Sequence, residues 1–140
     1  MRLQTSTMLA LYSIIEAASH PGKQVSAAEI AERYGVSAHH LAKVLRELGR
    51  AGLVDSSRGA GGGYRFSGNA RRLTLMDVIE RFEDIGARSP DPGTAQTDLG
   101  LAIARVLSEI DEIAKATFRS ITIETLLKLV ERARRSETSE

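Results

Sequence analysis

The densest chemistry in this sequence is a row of cations. His39, Lys43, Arg46 and Arg50 are spaced 4, 3 and 4 apart, so at about 100° per residue they share one stripe of a helix. They belong to a wider block. Between Arg33 and Arg72 there are eight basic residues (Arg33, Lys43, Arg46, Arg50, Arg58, Arg65, Arg71, Arg72) against Glu47 and Asp55, a local charge of +6 in a chain whose total is +1. The remainder carries −5, so the near-neutral total hides a basic block in an acidic chain. That is the electrostatic footprint of a polyanion binder. A solvated structural face would mix signs through Glu–Lys pairs, and here only Glu47 does so, at the flank.

Other chemistries lack their residues. The chain has no cysteine, which excludes disulfides, thiol catalysis, zinc–thiolate sites and cysteine-ligated iron–sulfur clusters. Histidine occurs only at positions 20, 39 and 40, and no defensible Ser–His–acid spacing exists, so no catalytic residue is assigned and an enzyme is disfavoured. Neighbouring His39 and His40 point about 100° apart on a helix and chelate poorly together. A nucleotide fingerprint starting at Gly59 fails at Tyr64, and no Gly-Lys-Ser/Thr loop is present. Apolar residues are 42% and charged residues 26% of 140, the range of one folded domain. No apolar run reaches the ~20 residues of a membrane span, and no secretory pattern develops before Glu16. The expectation is a cytoplasmic protein with an aliphatic core.

Periodicity and caps place the elements. A helix is expected over 5–19, with Met8, Leu11, Ile15 and Ala18 inward, ended by His20-Pro21-Gly22. Ser26 to Glu29 reads as a capping box opening a helix to about Tyr34, with Ala27, Ile30 and Ala31 inward. Gly35-Val36-Ser37 turns the chain into a second helix, 38–51, that buries Leu41, Val44, Leu45 and Leu48. Two capped helices on a three-residue turn form a helix-turn-helix signature. Extended runs at 53–57 and 63–67 around a glycine-rich tip predict a β-hairpin, read as a wing. Thr74 caps a further helix to about Glu83. Residues 84–97 predict a loop. From 98 to 119 Leu99, Ile103, Val106, Ile110 and Ile113 repeat at heptad-like spacing, widened by Leu107. The expected use of this seam is pairing with a second copy, and packing against the chain's own first helix is the alternative. Thr122 caps a last helix to about Arg134, and 136–140 reads as a disordered tail. The fold class is therefore mainly α with a small β-hairpin: a winged helix-turn-helix unit over 1–83, the 84–97 loop, and a dimerisation helix with a C-terminal helix over 98–135.

These residues resemble a known family. The run Val25–Ser37, the stretch Leu41–Val54, the wing Arg58-Gly59-Ala60-Gly61-Gly62-Gly63-Tyr64-Arg65 and Leu73–Ile79 are similar to the Rrf2 (Rrf-two) family of bacterial winged-helix transcription regulators, the wing being the most specific element. The resemblance implies a homodimer, taken as a repressor, on a roughly palindromic operator in double-stranded DNA. It also implies, for some members, an iron–sulfur cluster held by three cysteines in the loop after the wing. Here that loop is 84–97 and has no Cys, so no such cofactor is expected; a metal there would have only Asp84, Asp91 and Asp98. The helix from Ser37 should enter the major groove N-terminus first. That puts Ala38, His39, His40 and Lys43 near base edges, with Arg46 and Arg50 on phosphates. Thr5, Ser26 and Ser37 at helix starts suit phosphates, and Arg58, Gly61, Gly62 and Arg65 of the wing suit backbone or minor groove. Tyr64 is either core or phosphate donor. A winged-helix module for protein contacts, without salt-dependent duplex affinity, is the competing reading. An effector, small molecule or protein, is not named by these residues.

Overall fold

The computed structural model describes residues 1–57, 62–86 and 97–139. Helix α1 spans Thr5–Ala18 and buries Thr7, Leu9, Ala10, Ser13, Ile14, Ala17 and Ala18. This corrects the expected inward face: of that stripe only Ala18 is buried, while Met8, Leu11 and Ile15 are half-buried. The reason is that α1 is apolar around most of its circumference. Its true core face carries two hydroxyls that the large-apolar pattern passes over. Both are satisfied: Ser13 Oγ donates to Leu9 O at 2.8 Å, and Thr7 Oγ1 donates to Glu83 Oε2 at 2.5 Å, so burial carries no desolvation debt.

Helices α2 (Ala27–Arg33) and α3 (Ala38–Arg50) form the helix-turn-helix. Gly35 takes φ 64°, the left-handed region that a side chain resists. There its N–H donates to Glu32 O at 3.2 Å and the Val36 N–H to Ala31 O at 3.0 Å, closing the end of α2. Ser37 Oγ accepts from the His40 N–H at 3.0 Å, starting α3. Ser26 Oγ accepts from the Glu29 N–H at 3.3 Å. The reciprocal half of that expected box is absent, and the complete box is at Thr74 and Asp77 instead. Leu41, Val44, Leu45 and Leu48 are buried as expected, as are Ile30 and Ala31, whereas Ala27 is half-buried.

Strands β1 (Val54–Ser57) and β2 (Gly63–Phe66) pair antiparallel, with Asp55 opposite Arg65 and Ser56 opposite Tyr64. The hairpin is fastened to the segment before α2 by two backbone bonds: Val25 N–H to Tyr64 O at 2.7 Å and Tyr64 N–H to Val25 O at 2.9 Å. Tyr64 settles as core. It is fully buried, and its hydroxyl donates to Ser13 O at 3.1 Å. Burial pushes its phenol up to about 12. The expected aliphatic core therefore holds one aromatic ring at its centre, and Tyr64 is withdrawn from the DNA-contacting set.

Helix α4 is shorter than expected, Leu75–Ile79. Beyond it the chain tightens into i→i+3 bonds, Arg81 N–H to Val78 O and Phe82 N–H to Ile79 O. Helix α5 (Asp98–Ser120) leans on α4 near its C-terminal half. Helix α6 (Ile123–Thr138) returns onto α1, anchored by buried Ile123 and by the backbone bonds Ile123 N–H to Leu73 O and Leu75 N–H to Ile121 O. So of the two C-terminal helices it is α6 that packs on α1 alongside α3, α4 and β2. The disordered tail is also corrected: helix continues through Thr138. Ser136 and Thr138 hydroxyls donate to Arg132 O and Arg134 O, and Arg135 pairs with Glu131 at 2.6 Å. No described helix is long and apolar enough to cross a membrane.

Candidate nucleic-acid interface

Helix α3 presents its stripe because its opposite face is consumed by four buried aliphatics. Ala38, His39, Lys43, Arg46 and Arg50 are exposed. Arg50 Nη1 lies 3.6 Å from Glu47 Oε2, a solvent-exposed pair that competes weakly with phosphate. Lys43, Arg46, Arg65 and Arg72 form no ion pair with a described carboxylate. Among the described residues, Asp55 is the acid set opposite one of them, as the cross-strand neighbour of Arg65. Ala42, passed over in the sequence, is exposed on the same face. A methyl side chain there keeps that part of the exposed face flat; the helical period that located Lys43 also locates it.

His40 is different from its neighbour. It is half-buried, and its Nε2 is 3.1 Å from Ser6 Oγ on α1. It ties the start of α3 to the start of α1, so its ring positions the helix instead of standing in the exposed row. Nothing in the sequence relates Ser6 to a residue 34 positions away.

The block of +6 is redistributed in space. Arg33 pairs with Glu16 at 2.7 Å, and Arg71 Nε lies 3.7 Å from Glu124 Oε1. Both acids lie outside the sequence block; the close bond to half-buried Glu16 takes Arg33 out of the free cationic set, whereas the exposed Arg71 is as weakly held as Arg50. The Glu16 carboxylate also accepts from Tyr34 Oη at 2.8 Å. Burial alone would raise its pKa; the bonds from Arg33 and Tyr34 outweigh that and hold it below the ordinary value.

Of the helix-start residues, Ser26 and Ser37 each accept one backbone bond, leaving a hydroxyl proton to donate. Thr5 is exposed, but the start of α1 already holds an anion: Glu83 Oε2 accepts from the Gln4 N–H at 2.8 Å and from Thr7. That carboxylate occupies the electrostatic position a phosphate would take, so Thr5 is a poor phosphate site. In the wing, Arg65 and Gly62 are exposed, and the Gln24 side chain braces Ser57. Arg58 and Gly61 lie outside the described residues, as does most of the 84–97 loop, Asp91 included.

The long helix carries the other unusual surface. No residue of α5 is buried, and Leu99, Leu101, Ile103, Val106, Leu107, Ile110 and Ile113 are all 41% exposed or more. Ala102, Ile103, Val106 and Leu107 line a shallow apolar hollow of about 220 Å³.

Comparisons with known proteins agree with this geometry. Residues 3–129 match the family model Rrf2, described as an iron-dependent transcriptional regulator. The chain is 50% identical over 135 residues to a protein described as an HTH-type transcriptional regulator, BadM, of Rhodopseudomonas palustris, covering 96% of this chain and 86% of that protein. Among solved structures it is similar to CymR, the global cysteine regulator of B. subtilis, at TM-score 0.74 and 27% identity, covering 92% of this chain and 98% of that one. It is also similar to T. potens IscR, at TM-score 0.72 and 28% identity, covering 95% and 90%. The donor set does not fit the iron–sulfur chemistry of that family. The chain offers no thiolate, and among the described residues no three His, Asp or Glu side chains cluster to hold a metal.

Proposed function

This chain belongs to the Rrf2 family of helix-turn-helix transcriptional regulators, and from that premise we propose that it is a homodimeric repressor that binds a roughly palindromic operator in the cytoplasm without an iron–sulfur cluster. The observation that carries the reading is the pairing of two unsatisfied surfaces on one chain. One is an exposed stripe of cations on α3. The other is a helix of 23 residues along which Leu99, Leu101, Ile103, Val106, Leu107, Ile110 and Ile113 stand exposed. Patches of that kind mark association sites, and a two-fold pair of recognition helices matches a two-fold operator. Lys43 and His39 read base edges, with Ala38 and Ala42 close to the groove floor. Arg46, Arg50, Ser26, Ser37 and the wing Arg65 hold phosphates and fix the register.

The test is a pair of variants on DNA selected by the purified protein. Lys43→Ala should cost about 1–3 kcal/mol on the selected sequence and relax preference at one base pair per half-site. Arg65→Ala should weaken selected and scrambled duplexes alike and flatten the salt dependence by about one in log–log slope. Titrations at several salt concentrations separate the two. Equal loss on all DNA from Lys43→Ala would remove its base-reading role, and no salt-dependent duplex affinity at all would favour a protein-contact module.

A further inference from the structure

A cavity of about 500 Å³ opens between α1 and α6, lined among others by Met8, Leu11, Tyr12, Ile15, Leu126 and Val130. Its size is that of a small-molecule site. The α1 side is the half-buried stripe that sequence periodicity picked out as core. The α6 side is the i, i+4, i+8 stripe Leu126, Val130 and Arg134. One wall is aromatic: Tyr12 and Tyr34 stack with centroids 4.6 Å apart and planes 7° from parallel.

Polar groups gather at one end, where Glu16, Ser19, Tyr34 and Arg134 meet the cavity. Three of them are committed. Glu16 takes bonds from Arg33 and Tyr34, Tyr34 Oη gives its proton there, and Ser19 Oγ donates to Ile15 O. The Arg134 guanidinium, by contrast, forms no ion pair with a described carboxylate. Its charge does bear on Glu16, whose pKa it helps to lower, but with Arg33 it sets two guanidiniums against one carboxylate at that end. An apolar trough ending in net positive charge is complementary to an amphipathic carboxylate.

We propose that the α1–α6 cavity binds a small carboxylate with an apolar body, its carboxylate on Arg134 and its body against the Tyr12–Tyr34 wall and the aliphatic side chains. The site is coupled to the recognition helix by construction. Tyr34 caps α2 immediately before the 35–37 turn into α3, and Glu16 holds both Arg33 and Tyr34 from α1. A ligand wedged against Tyr34 acts on the turn that aims α3. This regulatory step rests on the DNA-binding reading above; the binding step does not.

The experiment titrates the full chain with sodium octanoate and 4-phenylbutyrate, using octanamide as the neutral control. Calorimetry and tyrosine fluorescence follow binding, and duplex affinity is measured with and without octanoate. Expected are saturable binding of the carboxylates, a loss of about fivefold to tenfold in their affinity in Arg134→Gln with octanamide unchanged, and a shift of about fivefold in duplex affinity. Carboxylate and amide binding equally, or Arg134→Gln binding like the parent, overturns the site. So does saturable binding that appears only after the dimer is broken, since a second copy would then be the cavity's occupant. Binding without any duplex shift overturns the coupling. A chain that binds carboxylates selectively yet never binds duplex overturns the regulator reading and leaves the site standing.

Discussion

The double variant Ile103→Glu/Ile110→Glu is expected to sediment as a monomer and to lose about a hundredfold to ten-thousandfold in operator affinity. The two side chains are 51% and 53% exposed in the single chain. Substituting them removes no intrachain core contact, and the isolated fold should keep its melting behaviour at low concentration. In a paired α5 seam the same changes place like charges in an apolar interface, which costs far more than it does in water. Operator affinity falls with the dimer because the second half-site ceases to be an intramolecular event. Sedimentation equilibrium and operator titration check both halves. A variant that stays dimeric would show that the copies meet elsewhere, and one that is monomeric with parental affinity would show that a single half-site suffices.

The second large effect is expected at the root of the wing. A Cβ built on Gly63 would lie 2.2 Å from the Val25 carbonyl oxygen. That neighbour is backbone, held by its own bond to Tyr64, and cannot swing aside. Gly63→Ala must therefore break the Val25–Tyr64 pairing or push the strand off Tyr64. The expected cost is on the order of 3 kcal/mol, from overpacking plus the lost hydrogen bonds, or roughly 10 °C in Tm for a chain of this size. Gly49→Ala is the internal control. Its added Cβ meets Val54 O at an ordinary 3.8 Å, and it sits in helix α3. It should stabilise by about 0.5–1 kcal/mol, because alanine loses less chain entropy there. Urea melts of the two variants should move in opposite directions. A Gly63→Ala chain as stable as the parent would mean that the wing is not pinned at Val25.

The α2–turn–α3 unit was legible because its signals are local. Ser26, Gly35 and Ser37 act within four residues, and the buried face of α3 follows one clean period. The hairpin and the exposed α5 seam were legible for the same reason. The errors have two sources: partners distant in sequence, and local side-chain bonds that apolar periodicity does not register. The inward face of α1 was misassigned because hydroxyls at Thr7 and Ser13 are made tolerable by Glu83 and Leu9 O, and large apolar residues flank them on the cavity side. Helix α6 outran its expected end because hydroxyl-to-carbonyl bonds and the Glu131–Arg135 pair extend it.

The sequence by itself determined the family, the class of fold, the cationic stripe and the absence of cluster ligands, since composition and short-range periodicity need no folding to be read. Tertiary structure alone decided which cations remain free. Arg33 is bound by Glu16, 17 positions away, and Arg71 meets Glu124, 53 positions away, through a weaker exposed contact. It also decided that His40 braces α1, that Tyr64 is core, and that a cavity separates α1 from α6. The physical reason is range. Caps and helical faces are set within a few residues of backbone, whereas charge pairing and burial depend on which surfaces meet after the chain has closed on itself.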